Sequence, residues 1–168
     1  MTGVYVTIWL SMAGLLLGEV GRRRHRQTRI VPRWAQACSA AGFALGVAHA
    51  LLALGMVYGW NNARAVELTA LRAKTVYGIA WAGSLYVNYV FLMWWAADTA
   101  WWWQSPDTFL RRPAALDWLW RLMTFTMVVN GAVIFGSTAG RIAGVPLVIG
   151  LLAVWYPRPR TRDAARAT

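Results

Sequence analysis

Long apolar stretches separated by short polar ones run along most of this chain. The longest, residues 75–103, carries no charge before Asp98 and holds six of the twelve tryptophans. An apolar run of about 18 or more residues indicates a transmembrane helix, because at about 1.5 Å per residue it crosses a hydrocarbon core of about 30 Å. The same pattern predicts five helices in all, over residues 4–20, 34–60, 75–103, 117–136 and 142–156. We therefore expect an all-α, polytopic membrane helix bundle.

Arginine placement predicts the orientation of this bundle. Residues 21–33 read GRRRHRQTRIVPR, the densest positive charge in the chain, and the positive-inside rule makes this short loop cytoplasmic. Residues 142–156 would form a helix of only about 22 Å, which leaves four spans as the alternative. A fifth span, however, places twelve arginines inside and four basic residues outside. The prediction is five transmembrane helices, with the N-terminus outside and the C-terminus inside.

Composition supports a membrane domain over residues 1–157, followed by a basic tail. The chain is 58% hydrophobic, more than one soluble core of 168 residues needs. Residues 158–168 repeat arginine and have few apolar side chains to bury, so we expect a disordered cytoplasmic tail. Sixteen of the seventeen basic residues are arginine, a bias that suggests a GC-rich bacterial genome and hence a bacterial inner membrane.

The net charge of +11 could suggest nucleic acid as a partner. The basic residues gather at the ends of apolar runs instead, where they face the headgroups of anionic lipids. We expect the lipid bilayer and other membrane subunits, or self-association, as partners, and no nucleic acid. The residues expected to dock a lipid headgroup or a partner are Arg22, Arg23, Arg24 and Arg26.

Small residues recur at helical spacing on one side of the second helix. Gly42, Gly46 and Ala53 form this stripe, and small side chains let two helix backbones approach closely in a membrane. We expect this face to pack against another helix. Beyond it, Asn61 or Asn62 can cap a short interfacial helix that leads into the third span.

Three polar side chains fall at similar depth when residues are counted from the predicted cytoplasmic helix ends. These are His49, Asn88 and Asn130, each about 20 Å from the inner surface. The expected arrangement is a midplane polar layer across helices two, three and four. It could fix helix register through hydrogen bonds, or it could form a site for a proton, an ion or a ligand headgroup.

Two features raise the possibility of a cofactor. His49 could be an axial ligand of haem or chlorophyll, and one tryptophan-rich face of helix three could bind a flat quinone. A lone intramembrane histidine is a poor basis for haem, and packing with interfacial anchoring explains the tryptophans. The sequence therefore predicts no cofactor and no metal, with haem, chlorophyll or quinone as the alternatives.

Charged residues near the predicted inner surface form a fourth candidate group, the inner-face charge cluster. Its members are Glu19, Asp98, Asp117 and Arg121. A carboxylate in the last turns of a helix meets the negative end of the helix dipole, so Asp98 needs a cation. Arg121 is the expected partner, although Asp117 competes for it at i, i+4.

The chain contains no HExxH, GxSxG, P-loop or CxxC pattern, and Cys38 is its single cysteine. We therefore expect a non-enzymatic subunit or scaffold of a larger membrane complex. A small oligomeric transporter or channel that uses the midplane layer is the first alternative. A membrane enzyme or electron carrier acting on a lipid-soluble substrate is the second.

Overall fold

The computed structural model describes residues 2–135 and 138–156, apart from the side chain of Ala139. Within this part of the chain it contains seven α-helices and no strand, which confirms the predicted all-helical fold. The helices are α1 (Thr2–Thr28), α2 (Arg33–Met56), α3 (Asn62–Tyr77), α4 (Gly83–Gln104), α5 (Pro106–Leu110), α6 (Ala114–Val128) and α7 (Thr138–Trp155), and a π-helical segment, Val129–Ile134, continues α6.

Two helices, α1 and α2, are long and apolar enough to cross a membrane, and a shorter apolar stretch covers Gly140–Trp155. Helix α4, with 22 residues, is long enough to cross a membrane. Its hydropathy, however, is too low for it to count as a candidate span beside α1 and α2. Asn88, Asp98 and the tryptophans at its C-terminal end lower its mean hydropathy. Helix α4 therefore differs from α1 and α2 in composition more than in length.

Most of the arginine-rich block is helical, and only residues 29–32 of the predicted loop form the connection between α1 and α2. Helix α1 continues into this block as far as Thr28, eight residues past the predicted end at Val20. Arginine is a good helix former, and basic side chains near a helix C-terminus face the negative end of the dipole. Arg22, Arg23, Arg24 and Arg26, which lie within little more than one helical turn, are therefore fixed relative to the apolar part of α1.

The predicted third helix, residues 75–103, is divided between two helices. Gly78 adopts a left-handed conformation with φ of +77° and ends α3, because glycine reaches this region without steric cost. Helix α4 then begins at Gly83. The predicted cap at the start of α3 is confirmed, since the Asn61 side chain accepts a hydrogen bond from the Arg64 amide at 3.0 Å.

The last two long helices also differ from their predicted bounds. Helix α6 begins at Ala114, and the hydrogen-bond pattern widens to π-helical at Val129. Helix α7 has 18 residues, so it reaches about 27 Å where the sequence predicts about 22 Å. The predicted tail, residues 158–168, lies outside the described residues.

Close backbone contact joins α1 to α2. A Cβ added to Gly14 would lie 2.7 Å from the Gly42 Cα, and one added to Gly18 would lie 3.1 Å from the Ser39 Cβ. The Ser11 hydroxyl donates to the Gly42 carbonyl at 2.8 Å across this seam. Gly42 therefore lies in a helix contact, as does Gly46, beside Ser11 and Trp95. Ala53, the third residue of the predicted stripe, is half-buried.

The long helices alternate in direction around a shared core. Helix α1 packs against α2 and α7, α2 packs against α4, and α6 packs against α4 and α7. The buried core residues that these helices share are Leu15, Phe91, Trp95, Trp120, Val128 and Leu151. The C-terminal ends of α1, α4 and α7 meet the N-terminal ends of α2 and α6 at one end of the bundle.

Candidate functional site

Six charged side chains form ion pairs at the end of the bundle where the C-terminal ends of α1, α4 and α7 meet the N-terminal ends of α2 and α6. Asp98 pairs with Arg22 and Arg112, Asp117 accepts hydrogen bonds from Arg112 and Arg26, and Glu19 lies 3.3 Å from Arg22 Nε. Three carboxylates thus balance three guanidiniums. We call this group the charge cluster, made of Glu19, Arg22, Arg26, Asp98, Arg112 and Asp117.

Two tryptophans complete the coordination of Glu19. The Trp120 indole N–H donates to one carboxylate oxygen at 2.7 Å, and the Trp155 indole N–H donates to the other at 2.7 Å. Hydrogen bonds to an ionised carboxylate are stronger than neutral ones. Glu19 is only 5% exposed, so these donors replace the water that it loses. Through them, Glu19 joins α1 to both α6 and α7.

Aromatic rings surround the Arg22 guanidinium. Its central carbon lies 4.6 Å from the centroid of the Trp120 ring, 5.4 Å from that of Trp102 and 5.4 Å from that of Phe109. The faces of these rings attract a cation, most strongly where water is excluded. Arg22 Nη1 has no hydrogen-bond partner, and the rings provide its remaining favourable contacts. This aromatic cage lets α1 bury a cation one turn after Glu19.

His25 lies beside this cage, five residues beyond the apolar part of α1. The Trp102 indole N–H donates to His25 Nδ1 at 3.1 Å, and the two rings stack. Because an indole N–H is only a donor, Nδ1 must be unprotonated and the imidazole neutral.

The structure assigns Asp98 different partners from the predicted one. Arg121 stands over the Trp118 ring at 5.5 Å, whereas Asp98 pairs with Arg22 and Arg112. The interpretation of the sequence missed Arg112 because it placed this residue in a connecting loop. Proline at position 113 fixes the entry to α6 directly after it, which holds Arg112 under the ends of α4 and α6.

Most of the arginines expected to dock lipid headgroups instead bind carboxylates or backbone carbonyls of the protein itself. Arg22 is 3% exposed within the cage, and Arg26 pairs with Asp117 at 2.8 Å. Arg23 donates to the carbonyls of Ala153 and Val154, where it satisfies the C-terminal end of α7. Arg24 remains exposed.

The predicted midplane layer does not form a hydrogen-bonded group among the described residues. His49 Nδ1 lies 2.8 Å from the Val4 carbonyl, in a contact between α2 and the start of α1. Asn130 accepts a hydrogen bond from the Tyr77 hydroxyl at 2.7 Å, which ties α3 to the π-helical segment. Asn88 is half-buried on α4. His49 therefore joins α2 to α1, whereas Asn130 joins the π-helical segment to α3.

Metal binding and family membership add nothing to this picture. Among the described residues, no group of three or more His, Cys, Asp or Glu side chains could hold a metal ion. Comparison with protein-family models, with curated protein sequences and with solved structures found no match for this chain.

Proposed function

We propose that this chain is a multi-pass protein of a bacterial inner membrane that acts as a non-enzymatic subunit or scaffold of a larger membrane complex. Five spans cross the bilayer, formed by α1, α2, α4, α6 with its π-helical segment, and α7. The N-terminus lies outside, and the charge cluster lies at the cytoplasmic surface.

Helix lengths support five spans. Helices α4 and α7 extend about 33 Å and 27 Å, and residues 114–134 extend about 31 Å, close to a hydrocarbon core of about 30 Å. Large apolar side chains on these helices point away from the protein: Met93, Leu122 and Ile149 are 66%, 62% and 60% exposed. Such surfaces are typical of contact with lipid or with partner helices.

The observation that carries the proposal is that the carboxylates of the charge cluster bind arginines and tryptophans of the same chain. Each carboxylate already has at least two cationic or indole N–H partners, and Asp98 and Glu19 are at most 5% exposed. A group that accepts or donates protons in catalysis must reach its substrate. These carboxylates instead hold the ends of the helices together, which favours a structural role.

The test is the state of the protein in its native membrane. The chain, tagged and expressed at its native level, is extracted in a mild detergent and measured by native mass spectrometry. We expect a complex with at least one different membrane protein in fixed stoichiometry that persists on dilution. A homo-oligomer that conducts ions or solutes in liposomes would support a transporter and contradict the proposal, as would a bound chromophore.

A further inference from the structure

A groove runs along the outer face of α4 next to the charge cluster. It has a volume of about 410 Å³, within the range of about 300–1,000 Å³ for small-molecule sites. Its walls are apolar and include Val90, Trp94, Ala97 and Trp101, which follow one face of α4 at spacings of four, three and four residues. Leu116 on α6 forms part of the opposite wall. The groove is thus long, narrow and open on one side.

One end of the groove is charged, because Asp98 and Arg112 line it together. Arg112 donates through Nε to Asp117 and through Nη1 to Asp98. Its third nitrogen, Nη2, makes no hydrogen bond to any described residue, and it is not among the fully enclosed unpaired atoms. Two N–H donors of this guanidinium therefore have no acceptor among the described residues, in a side chain that lines the groove.

The direction of the groove matches the proposed orientation in the bilayer. Val90 and Trp101 are eleven residues apart, or about 16 Å along α4, and Trp101 lies at the end that carries the charge cluster. The apolar part therefore reaches from the cytoplasmic surface to about the middle of the membrane. This is the depth that one acyl chain of an inner-leaflet lipid occupies.

Charge selects among the lipids that could enter. The six residues of the charge cluster balance one another, and Arg111, exposed and next in sequence to the groove-lining Arg112, adds a positive charge that the cluster does not neutralise. The phosphate of any phospholipid offers acceptor oxygens that suit arginine. A headgroup that has no cation of its own is favoured, because Arg111 and Arg112 repel a second positive charge. The Asp98 carboxylate also lines the site, but two guanidiniums already neutralise it.

We propose that this groove binds one anionic glycerophospholipid from the cytoplasmic leaflet. An acyl chain lies along Val90, Trp94 and Ala97, and the phosphate binds at Arg112 and Arg111. The inference rests on the proposed membrane placement, and it moves the headgroup site from the arginines of α1 to the connection between α5 and α6. The bound lipid would fill the groove between α4 and α6 and seal the charge cluster from the bilayer.

The test uses native mass spectrometry of the detergent-purified full chain, with phosphatidylglycerol and phosphatidylcholine as probes. Wild-type protein is expected to retain one phosphatidylglycerol per chain, with about tenfold preference over phosphatidylcholine, which has the same phosphate but adds a choline cation that the two arginines repel. Ala97→Trp fills the groove, leaves every charged residue unsubstituted and should abolish retention. Ala100→Trp is the matched control, because Ala100 is also exposed on α4 but does not line the groove, and it should bind as wild type does.

Three results would overturn the inference: equal retention of both lipids, unchanged binding by Ala97→Trp, or a bound neutral quinone that phosphatidylglycerol does not displace. Alkaline carbonate extraction of the membranes is carried out first to separate this failure from that of the proposed function. Protein released by carbonate contradicts the membrane placement itself. Protein that stays in the membrane but binds no anionic lipid contradicts the groove site alone.

Discussion

Substitution of a single residue in the charge cluster is expected to have a large effect on stability, because several of these side chains are almost fully buried. Arg22 and Asp98 are 3% and 4% exposed. Removing one partner from a buried ion pair leaves an uncompensated charge and costs about 3–5 kcal/mol, whereas an exposed pair contributes about 0–1 kcal/mol. The partners of Asp98 can therefore be identified from the size of a substitution effect.

Arg112→Gln is predicted to destabilise the protein by about 3–5 kcal/mol, because it leaves Asp98 and Asp117 each short of a cation. Arg121→Gln is the matched control and should cost at most about 1 kcal/mol, the contribution of a partly exposed cation–π contact with Trp118. Thermal unfolding in detergent, followed by circular dichroism, measures both. A larger effect of Arg121→Gln would instead support the pairing of Asp98 with Arg121.

His25 is predicted to make stability depend on pH. Nδ1 accepts the hydrogen bond from Trp102 only when it carries no proton, so protonation is more favourable in the unfolded chain than in the folded protein. Its contribution is complete above about pH 6.5 and falls as the pH decreases further. Protonation at Nδ1 would also remove the hydrogen bond from Trp102.

The measurement is the apparent unfolding temperature between pH 7.5 and pH 5.5. Wild-type protein should lose stability over this range, and His25→Gln should show a smaller loss, since its amide oxygen can still accept from Trp102 without titrating. Equal slopes in the two proteins would show that another group is responsible.

At the scale of elements, the seam between α1 and α2 depends on glycine. The two backbones approach so closely at Gly14 and Gly42 that no side chain fits between them. Without a hydrophobic effect to separate helix from lipid, such close packing is a main source of helix association in membranes. Helix α3 is held differently, by the Tyr77 hydroxyl on Asn130 and the Arg72 guanidinium on the Phe135 carbonyl.

Gly14→Ala is predicted to destabilise the protein. The new Cβ would lie 2.7 Å from both the Cys38 carbonyl oxygen and the Gly42 Cα, and backbone atoms must move to relieve this. Overpacking costs about 1–3 kcal/mol, which exceeds the gain of about 1 kcal/mol from alanine in a helix.

Gly3→Ala provides the control in the same helix, because its Cβ would lie 3.9 Å from the nearest atom, Leu52 Cδ1. It should leave stability unchanged or raise it slightly. Unfolding temperatures of both variants in one detergent test the prediction, and equal effects would contradict the close seam.

At the scale of the whole molecule, the alternating helices place the start of α1 and the end of α7 at opposite ends of the bundle. Arg23 of α1 contacts the last turn of α7, whereas Val4 contacts His49 near the other end of α2. If the bundle crosses the membrane, the two termini must face different compartments. The same geometry places α3 and α5 at opposite ends of the bundle.

Cysteine labelling is predicted to report this arrangement. In a Cys38→Ser background, cysteines at Thr2 and Lys74 should react with an impermeant maleimide in intact spheroplasts. Cysteines at Arg111 and Tyr156 should react only after permeabilisation. All four positions are exposed in the structure, so accessibility within the protein does not limit the reaction. Labelling of Thr2 and Tyr156 from the same side would contradict five spans.

The sequence by itself determines the helical class, the apolar runs and the cap at Asn61, because these depend on local properties of neighbouring residues. It also indicates that Glu19, Asp98 and Asp117 lie near one end of their helices. It does not identify their partners, because contacts such as Glu19 with Trp155 join residues that are distant in the chain. Depth along a helix can be counted, but the direction that a side chain faces depends on how helices rotate and bend against each other. Tertiary structure therefore decides that Arg112 pairs with Asp98, and that His49 and Asn130 fasten different helices.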